Sequence, residues 1–261
     1  MLGAMRSVLS VLLMLMACAV SAAGDLDALL ARGDAEDQRL ETSAALATYL
    51  AAEKLAPNDA NVLYRISREY ALSMYDTSVK DEQHALAEQA LDYARRAIAA
   101  DADNANAQLA AAICYGRLTS FVDVRRKIEY ARLIKQHGER AIELDGNNSY
   151  AWHVMGMWNY ELAKISSVQR KAAKVLYGEV PPASYDLAVE HFRKAVRLAP
   201  YRVSHHVELG RAYLAMGRKV EARSELEKAL SLPAREKDDP ESRRHATEAL
   251  KKIRSRQLAA G

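Results

Sequence analysis

The sequence is poor in residues that interrupt or cross-link a chain: it has two cysteines, six prolines and eleven glycines among 261 residues. Cys18 lies in the N-terminal segment, so once that segment is removed Cys114 is the only cysteine and an intramolecular disulfide is excluded. Cys114, within the apolar run 110–115, is interpreted as a small core residue rather than a reactive thiol. So little proline and glycine leaves room for long helices.

Motifs for catalysis are missing as well. The sequence has no Walker-type phosphate loop, no cysteine pair at metal-binding spacing and no Gly-x-Ser-x-Gly motif. The nearest approach to a metal-binding set is His205, His206 and Glu208, with His191 upstream. Adjacent residues on a helix point in different directions, so surface histidines are the favoured interpretation. We therefore predict a protein that is not an enzyme and holds no cofactor or metal.

The first 23 residues differ from the rest of the chain. Arg6 is followed by an apolar run from Val8 to Val20 and then by the small residues Ser21, Ala22 and Ala23. This pattern is typical of a secretory signal peptide, and the run is short for a membrane span. We predict a signal peptide over residues 1–23 and a helical domain over residues 24–261.

Two ways of processing this segment compete. Cleavage near Ala22 or Ala23 would give a soluble, exported, periplasmic protein, whereas Leu15 to Cys18 resembles a bacterial lipoprotein box that would leave Cys18 acylated and the protein anchored to a membrane. Cleavage is favoured because Met16 is uncommon before the small residue of such a box. A retained N-terminal anchor is a third, weaker alternative.

From Asp25 onward apolar residues recur at helical spacing, and four similar helix ends suggest repeats. These ends fall near residues 57, 102, 146 and 200. Ala195 recurs as Ala229, 34 residues later, which is the length of a tetratricopeptide (TPR) repeat. Gly210 is small where two helices would cross, Gly217 would end the first helix of the last repeat, and Pro233 the second. The fold prediction is an all-α solenoid of about four TPR-like hairpins.

The repeats are longer than 34 residues early in the chain, so we predict insertions within the hairpins. They are placed at Asp76 to Gln83, Thr119 to Lys127 and Lys164 to Ser184, the last with its own helix ended by Gly178. Helices near Asp25 to Arg32 and from Pro240 to Arg256 should cap the two ends of the solenoid.

Several segments resemble the regulator of microtubule dynamics family. They include Gly156 to Ala163 and Leu176 to Tyr185, and upstream Lys127-Ile128, Ile134 to His137 and Ala141 to Asp145. The resemblance implies a TPR-like helical domain and, for animal members, association with microtubules or organelle membranes. The predicted export signal argues against a tubulin partner, because tubulin is absent where a bacterial signal peptide delivers its cargo.

The net charge of +3 hides a division along the chain. Residues 25–103 carry a net charge of −8 and residues 104–261 one of +10. An acidic partner would be drawn to the basic part, although a solvated helical surface explains it equally well. Nucleic acid is disfavoured because the overall balance is mild.

Repeat solenoids bind along the concave face built from the first helix of each repeat. If Leu63, Gln108, Trp152 and His206 are equivalent positions, a set of Tyr, Arg, His, Asn and Met side chains faces this groove. Such a surface suits a peptide segment, though inter-repeat packing explains several members equally well. The predicted groove residues are Asn61, Tyr64, Arg68, Asn106, Arg117, Tyr150, His153, Met157, Tyr160 and Arg211.

The leading functional hypothesis is a scaffold of the cell envelope that mediates protein–protein interaction by holding a protein or peptide segment in this groove. The first alternative is an adaptor on an anionic membrane or lipid surface, with or without an acylated Cys18. The second is a microtubule-binding protein, which rests on the family resemblance alone.

Overall fold

The computed structural model describes residues 24–258, with side chains to residue 255. The predicted signal peptide, its cleavage sites and Cys18 lie outside these residues. Within the described part the chain forms helices, turns and loops, and no strand. The all-α prediction is confirmed.

Residues 24–258 form twelve α-helices, with short 3₁₀ turns at Met74–Asp76 and Thr119–Phe121. Their bounds are α1 (24–38), α2 (Thr42–Leu55), α3 (Ala60–Ser73), α4 (Lys80–Ala100), α5 (Ala105–Leu118), α6 (Val124–Leu144), α7 (Ser149–Ala163), α8 (Ser167–Tyr177), α9 (Tyr185–Leu198), α10 (Val203–Ala215), α11 (Lys219–Ser231) and α12 (Asp239–Leu258).

The helices pair into hairpins α1/α2, α3/α4, α5/α6, α7/α9 and α10/α11, with α12 packed on the last. The described residues thus contain five hairpins rather than about four. The extra one arises because the predicted N-terminal cap continues to residue 38 and pairs with α2. Within this pair Thr48 donates a 2.6 Å hydrogen bond to Glu36.

Local sequence explains where the helices begin. Asp59, Asn104 and Asn148 each accept hydrogen bonds from backbone N–H groups of the first turn of α3, α5 and α7. Such side chains satisfy donors that a helix start leaves unpaired. The turns predicted near residues 57, 102 and 146 are therefore real helix boundaries.

The α10/α11 hairpin shows why small residues recur in the repeat. A Cβ atom on Gly210 would lie 2.7 Å from Leu226 Cγ and 3.1 Å from the Ala222 carbonyl oxygen, so only glycine allows this crossing. Gly217 has φ +78° and lets the N–H of Arg218 reach the Tyr213 carbonyl at 2.9 Å. This bond closes the end of α10.

The predicted insertions take two forms. In hairpins α3/α4 and α5/α6 the insertion forms a 3₁₀ turn and lengthens the second helix, which has 21 residues in each hairpin. The third contains α8, which begins at a Ser166–Gln169 capping box and ends at Gly178 with φ +85°. No residue of α8 is buried. It lies outside the packed body of the solenoid.

The largest core cluster joins the last two hairpins to α12. Phe192, Val207 and Leu226 are fully buried there, and Ile253 from α12 is 1% exposed. The predicted C-terminal cap is therefore confirmed, because α12 covers the apolar end of α10 and α11. Cys114 is 1% exposed in another cluster, as its apolar surroundings predict, and burial raises the pKa of its thiol to about 11.

Candidate functional site

The inner face of the solenoid is built from the first helices of successive hairpins. Helices α3, α5, α7 and α10 lie next to one another in that order. The connection between α11 and α12, residues 232–238, lies against this face and is called here the α11–α12 linker. The surface predicted to receive a partner is thus partly covered by the chain itself.

Glu236 fixes the linker to the last two hairpins. Its carboxylate accepts a 2.5 Å hydrogen bond from the Tyr150 hydroxyl and forms an ion pair with Arg202. The Arg202 guanidinium also lies 4.2 Å from the centroid of the Tyr150 ring. Tyr150 and Arg202 therefore form a carboxylate-binding pair on the inner face.

Lys237 fixes the linker to the first hairpins. Its ammonium donates 2.6 Å hydrogen bonds to Asp76, after α3, and to Thr42, at the start of α2. These partners lie 161 and 195 residues away in sequence. Two neighbouring linker residues thus connect opposite ends of the repeat array.

The start of α12 holds the linker in a turn. Asp239 is 1% exposed and accepts hydrogen bonds from the backbone N–H groups of Arg235 and Glu236, at 2.6 and 2.9 Å. Burial and the nearby carboxylates of Glu236 and Asp239 raise the pKa of Asp238 to about 6. The carboxylates of 236, 238 and 239 come within 4.8 Å of one another. Arg202, Tyr150 and these backbone donors already bind two of them.

Two histidines meet behind Tyr150. The rings of His153 and His205 stack with centroids 4.9 Å apart, and their Nδ1 atoms are 3.1 Å apart. Burial lowers the pKa of His153 to about 4, and burial beside His153 lowers that of His205. Both rings are therefore neutral at neutral pH, which avoids two adjacent charges in a dry environment.

The interpretation of His205 and His206 as surface residues is wrong. His205 is fully buried, and His206 is 5% exposed with hydrogen bonds to Glu225 at 2.6 Å and to the Pro200 carbonyl at 3.0 Å. Helix α10 packs against α9, α11 and α12, so polar residues on it enter the interior. His191 is half-buried and lies 3.2 Å from Asn159.

The predicted groove residues Asn61 and Asn106 lie at the junctions between hairpins. Asn104 donates to the Asn61 side chain at 3.1 Å, and Asn148 donates to Asn106 at 3.4 Å. Each capping asparagine thus bonds to the corresponding turn of the preceding repeat. These two side chains are engaged in holding adjacent hairpins together.

Tyr64, Arg68 and Arg117 line the first half of the face. The Arg68 guanidinium forms a 2.6 Å ion pair with Asp37 of α1, and Tyr64 packs beneath Arg65 at 5.1 Å. The Arg117 guanidinium lies 4.9 Å from the Tyr75 ring, and its charge lowers the pKa of Asp238 in the linker. Arg117 therefore contributes to the basic surroundings of the linker.

Met157 and Tyr160 of α7 and Arg211 of α10 lie where these two helices pack together. Tyr160 is 8% exposed, and both it and Met157 pack against the core shared with α9 and α10. Arg211 donates to both Glu208 oxygens, at 2.6 and 2.9 Å, and lies 5.4 Å from the Tyr160 ring. Their packing is evident, and a binding role for them stays a prediction.

The two tryptophans of α7 pack on neighbouring helices. Trp158 is buried and donates to the Ala131 carbonyl of α6 at 2.7 Å, while Trp152 packs near His191 of α9. Sequence analysis did not identify Arg202, Glu236 or Lys237. A charged run after Pro233 was the signal for Glu236 and Lys237, and no motif marks Arg202.

None of the helices within residues 24–258 combines the length and the hydropathy that crossing a bilayer requires.

Comparisons with known proteins agree on the fold. A family model described as regulator of microtubule dynamics protein 1-3 matches residues 25–254. Regulator of microtubule dynamics protein 1 of Bos taurus is 32% identical over 195 residues, which are 74% of this chain and 62% of that protein. Protein 2 of Mus musculus is 28% identical over 195 residues, 74% of this chain and 47% of the relative.

This chain therefore spans less than two thirds of the length of these curated relatives. Among solved structures, a thermophilic TPR protein of Thermus thermophilus matches with a TM-score of 0.61 at 20% identity, covering 86% of this chain and 98% of that one. The pilF protein of Pseudomonas aeruginosa matches at 0.55 and 17% identity, covering 92% and 95%. Both support a TPR-type solenoid.

Proposed function

Because the chain belongs to the regulator of microtubule dynamics protein 1-3 family and folds as a TPR-type scaffold, we propose that it binds an acidic protein segment on its inner face. The proposed activity is binding without catalysis. The segment would replace the α11–α12 linker, which occupies the same surface in the free chain.

One observation carries this proposal: Glu236 of the linker is bound by Tyr150 and Arg202. The inner face thus already holds a carboxylate on a non-helical piece of polypeptide. Arg117 adds a positive charge beside Asp238. A partner with glutamate or aspartate at similar spacing would meet the same groups.

The linker lowers the apparent affinity for such a partner. When a site is open in only a fraction of molecules, the apparent dissociation constant rises by the inverse of that fraction. Contacts of Glu236 and Lys237 at both ends keep this fraction small. Weakening these contacts should therefore strengthen binding of an external segment.

The first prediction concerns the double variant Glu236→Gln, Lys237→Gln. A fluorescein-labelled synthetic peptide of residues 230–241 is expected to bind this variant about tenfold more tightly than the wild type, measured by fluorescence anisotropy. Adding Arg202→Gln should remove the gain, because the guanidinium that pairs with the peptide carboxylate is lost.

The same peptide with Gln at 236 and 241 and Asn at 238 and 239 is the matched control and should bind weakly to every variant. Circular dichroism melting checks that each variant is folded, and Lys237→Gln alone is the milder second variant. Equal peptide affinity in the wild type and both linker variants would refute competition by the linker.

The relatives' name makes microtubules a second candidate partner, and the family membership is the observation that favours it. Polymerised tubulin can be tested for co-sedimentation with the same set of variants. Binding through the inner face predicts the same order of affinities as for the peptide. Binding that is unaffected by Arg202→Gln would indicate a different surface.

We also propose that the scaffold acts in the cell envelope, on the basis of the sequence of residues 1–23. Mass spectrometry of the chain recovered from a bacterial host tests this. Removal of residues 1–22 or 1–23 is expected, and an acylated N-terminal Cys18 would instead support the lipoprotein alternative. Recovery of an unprocessed chain in the cytosol would contradict export.

A further inference from the structure

Helix α8 turns its apolar side to solvent. Val168, Val175 and Leu176 are 75%, 85% and 67% exposed, and Ala172 is exposed between them. Their spacing of four, seven and eight residues places them on one stripe of the helix. Exposed apolar side chains are common singly, but a continuous stripe indicates a surface that binds something.

The opposite side of α8 is anchored to the body by a charged residue. Arg170 donates to the carbonyl oxygens of Leu162, Val180 and Pro181 at 2.8–3.1 Å. Val180, just beyond the helix, is 4% exposed. The helix is thus held with its apolar stripe outward, the reverse of an amphipathic helix that packs on its own core.

Helix α8 carries three cations, Arg170, Lys171 and Lys174, and no carboxylate of its own. Lys171 lies one residue before Ala172 and is exposed at the border of the stripe, while Lys174 pairs with Glu179 at 3.1 Å near the end of the helix. Lys171 is thus the cation that borders the stripe, and an apolar stripe with a bordering lysine is typical of helices that lie in the surface of an anionic membrane.

A second copy of the chain fits this stripe less well. A stable protein interface uses roughly 20–30 residues on each side, whereas the stripe offers four. In a symmetric pair the two Lys171 side chains at the borders of the stripes would also lie close together. A lipid surface needs no further residues, because acyl chains accept the apolar side chains and anionic headgroups accept Lys171.

We propose that α8 is a membrane-binding element that inserts Val168, Val175 and Leu176 into the headgroup region of an anionic bilayer. This site is separate from the inner face and does not depend on the peptide-binding proposal. Binding there would place the scaffold on a membrane surface while the inner face remains accessible to a partner segment.

Vesicle co-sedimentation of the chain from Gly24 onward tests this, since residues 24–258 contain the whole folded body described above. Vesicles of phosphatidylcholine with 30% phosphatidylserine are compared with pure phosphatidylcholine. We expect binding to the anionic vesicles alone, a drop of about tenfold or more for Val175→Ser with Leu176→Ser, and about fivefold for Lys171→Gln.

Val220→Ser, a matched change at an 81% exposed valine of α11, should leave vesicle binding unchanged. All three variants should melt like the wild type, because the altered side chains are exposed. Equal binding of the α8 variants and the wild type, or no binding to anionic vesicles, would overturn the proposal. A wild-type dimer in analytical ultracentrifugation that is lost in the Val175→Ser, Leu176→Ser variant would also overturn the proposal.

Discussion

Phe192→Ala is expected to lower the free energy of unfolding by about 3–5 kcal/mol, the usual range for removing a buried aromatic side chain. Phe192 is fully buried in the core formed by α7, α9 and α10. Its ring also fills the space beside Gly156, where an added Cβ would lie 2.5 Å from the ring carbons Cδ1 and Cε1. Chemical denaturation of the purified chain measures the loss.

Because of this close contact, we predict that a second substitution, Gly156→Ala, destabilises the wild type but stabilises the variant that lacks the Phe192 ring. Gly156→Ala in the wild type should cost about 1–3 kcal/mol, because the new methyl group overlaps the Phe192 ring. In the Phe192→Ala background the same change should stabilise the chain by about 0.5–1 kcal/mol, since alanine favours the helix and the ring is gone. The double-mutant cycle isolates this coupling.

Gly116→Ala is the matched control, because Gly116 lies inside α5 and a Cβ there would meet no atom within 4 Å. It should stabilise both backgrounds by a similar amount. If Gly156→Ala has the same effect with and without Phe192, the packing of α7 on α9 described here is wrong.

Glu69→Gln is expected to stabilise the chain at pH 8 by about 3 kcal/mol. Glu69 is fully buried in α3, and neither carboxylate oxygen has a hydrogen-bond partner among the described residues. Burial raises the pKa of Glu69 to about 7, the Asp37 carboxyl adds to the rise, and Arg68 and Lys237 oppose it. Each unit of pKa shift corresponds to about 1.4 kcal/mol.

The sign of the pH dependence follows from the raised pKa. Below about pH 4.5 the carboxyl is protonated in both the folded and unfolded chain, so ionisation makes no difference to stability. As pH rises towards 7 the unfolded chain loses this proton first, and the folded state is progressively destabilised. The advantage of Glu69→Gln should therefore grow from about pH 4.5 and level off above pH 7.

Chemical denaturation of the wild type and the variant at several pH values checks this. The histidines His153 and His205 contribute equally to the pH dependence of both proteins, so their effect cancels in the difference. Glu227→Gln, on the exposed side of α11, is the control and should stay within about 0.5 kcal/mol of the wild type. A constant difference between Glu69→Gln and wild type from pH 4.5 to 8 would show that Glu69 does not change its charge in this range.

Much of the fold was predictable because it depends on neighbours in sequence. Asp59, Asn104 and Asn148 cap the helices that follow them, and Gly217 ends α10. The 34-residue repeat of the last hairpin and the scarcity of proline and glycine indicated the helical solenoid. Only the pairing of α1 with α2 added a hairpin to the predicted number.

The candidate site was predictable only in part. The first helices of the repeats and residues such as Tyr150 and Arg117 could be placed on the inner face from their position in the repeat. The burial of His205 and the pairing of Arg211 with its own Glu208 could not, because the same repeat position is a surface in one solenoid and a packed junction in another.

The sequence by itself determined the helices, their caps and the apolar stripe of α8, since each depends on contacts within a few residues. Only the tertiary structure decided that Lys237 reaches Asp76 and Thr42, and that Glu236 lies between Tyr150 and Arg202. That outcome depends on the small rotation between successive hairpins, summed over the whole array. No local pattern encodes such a sum, and it is this sum that brings the linker onto the inner face.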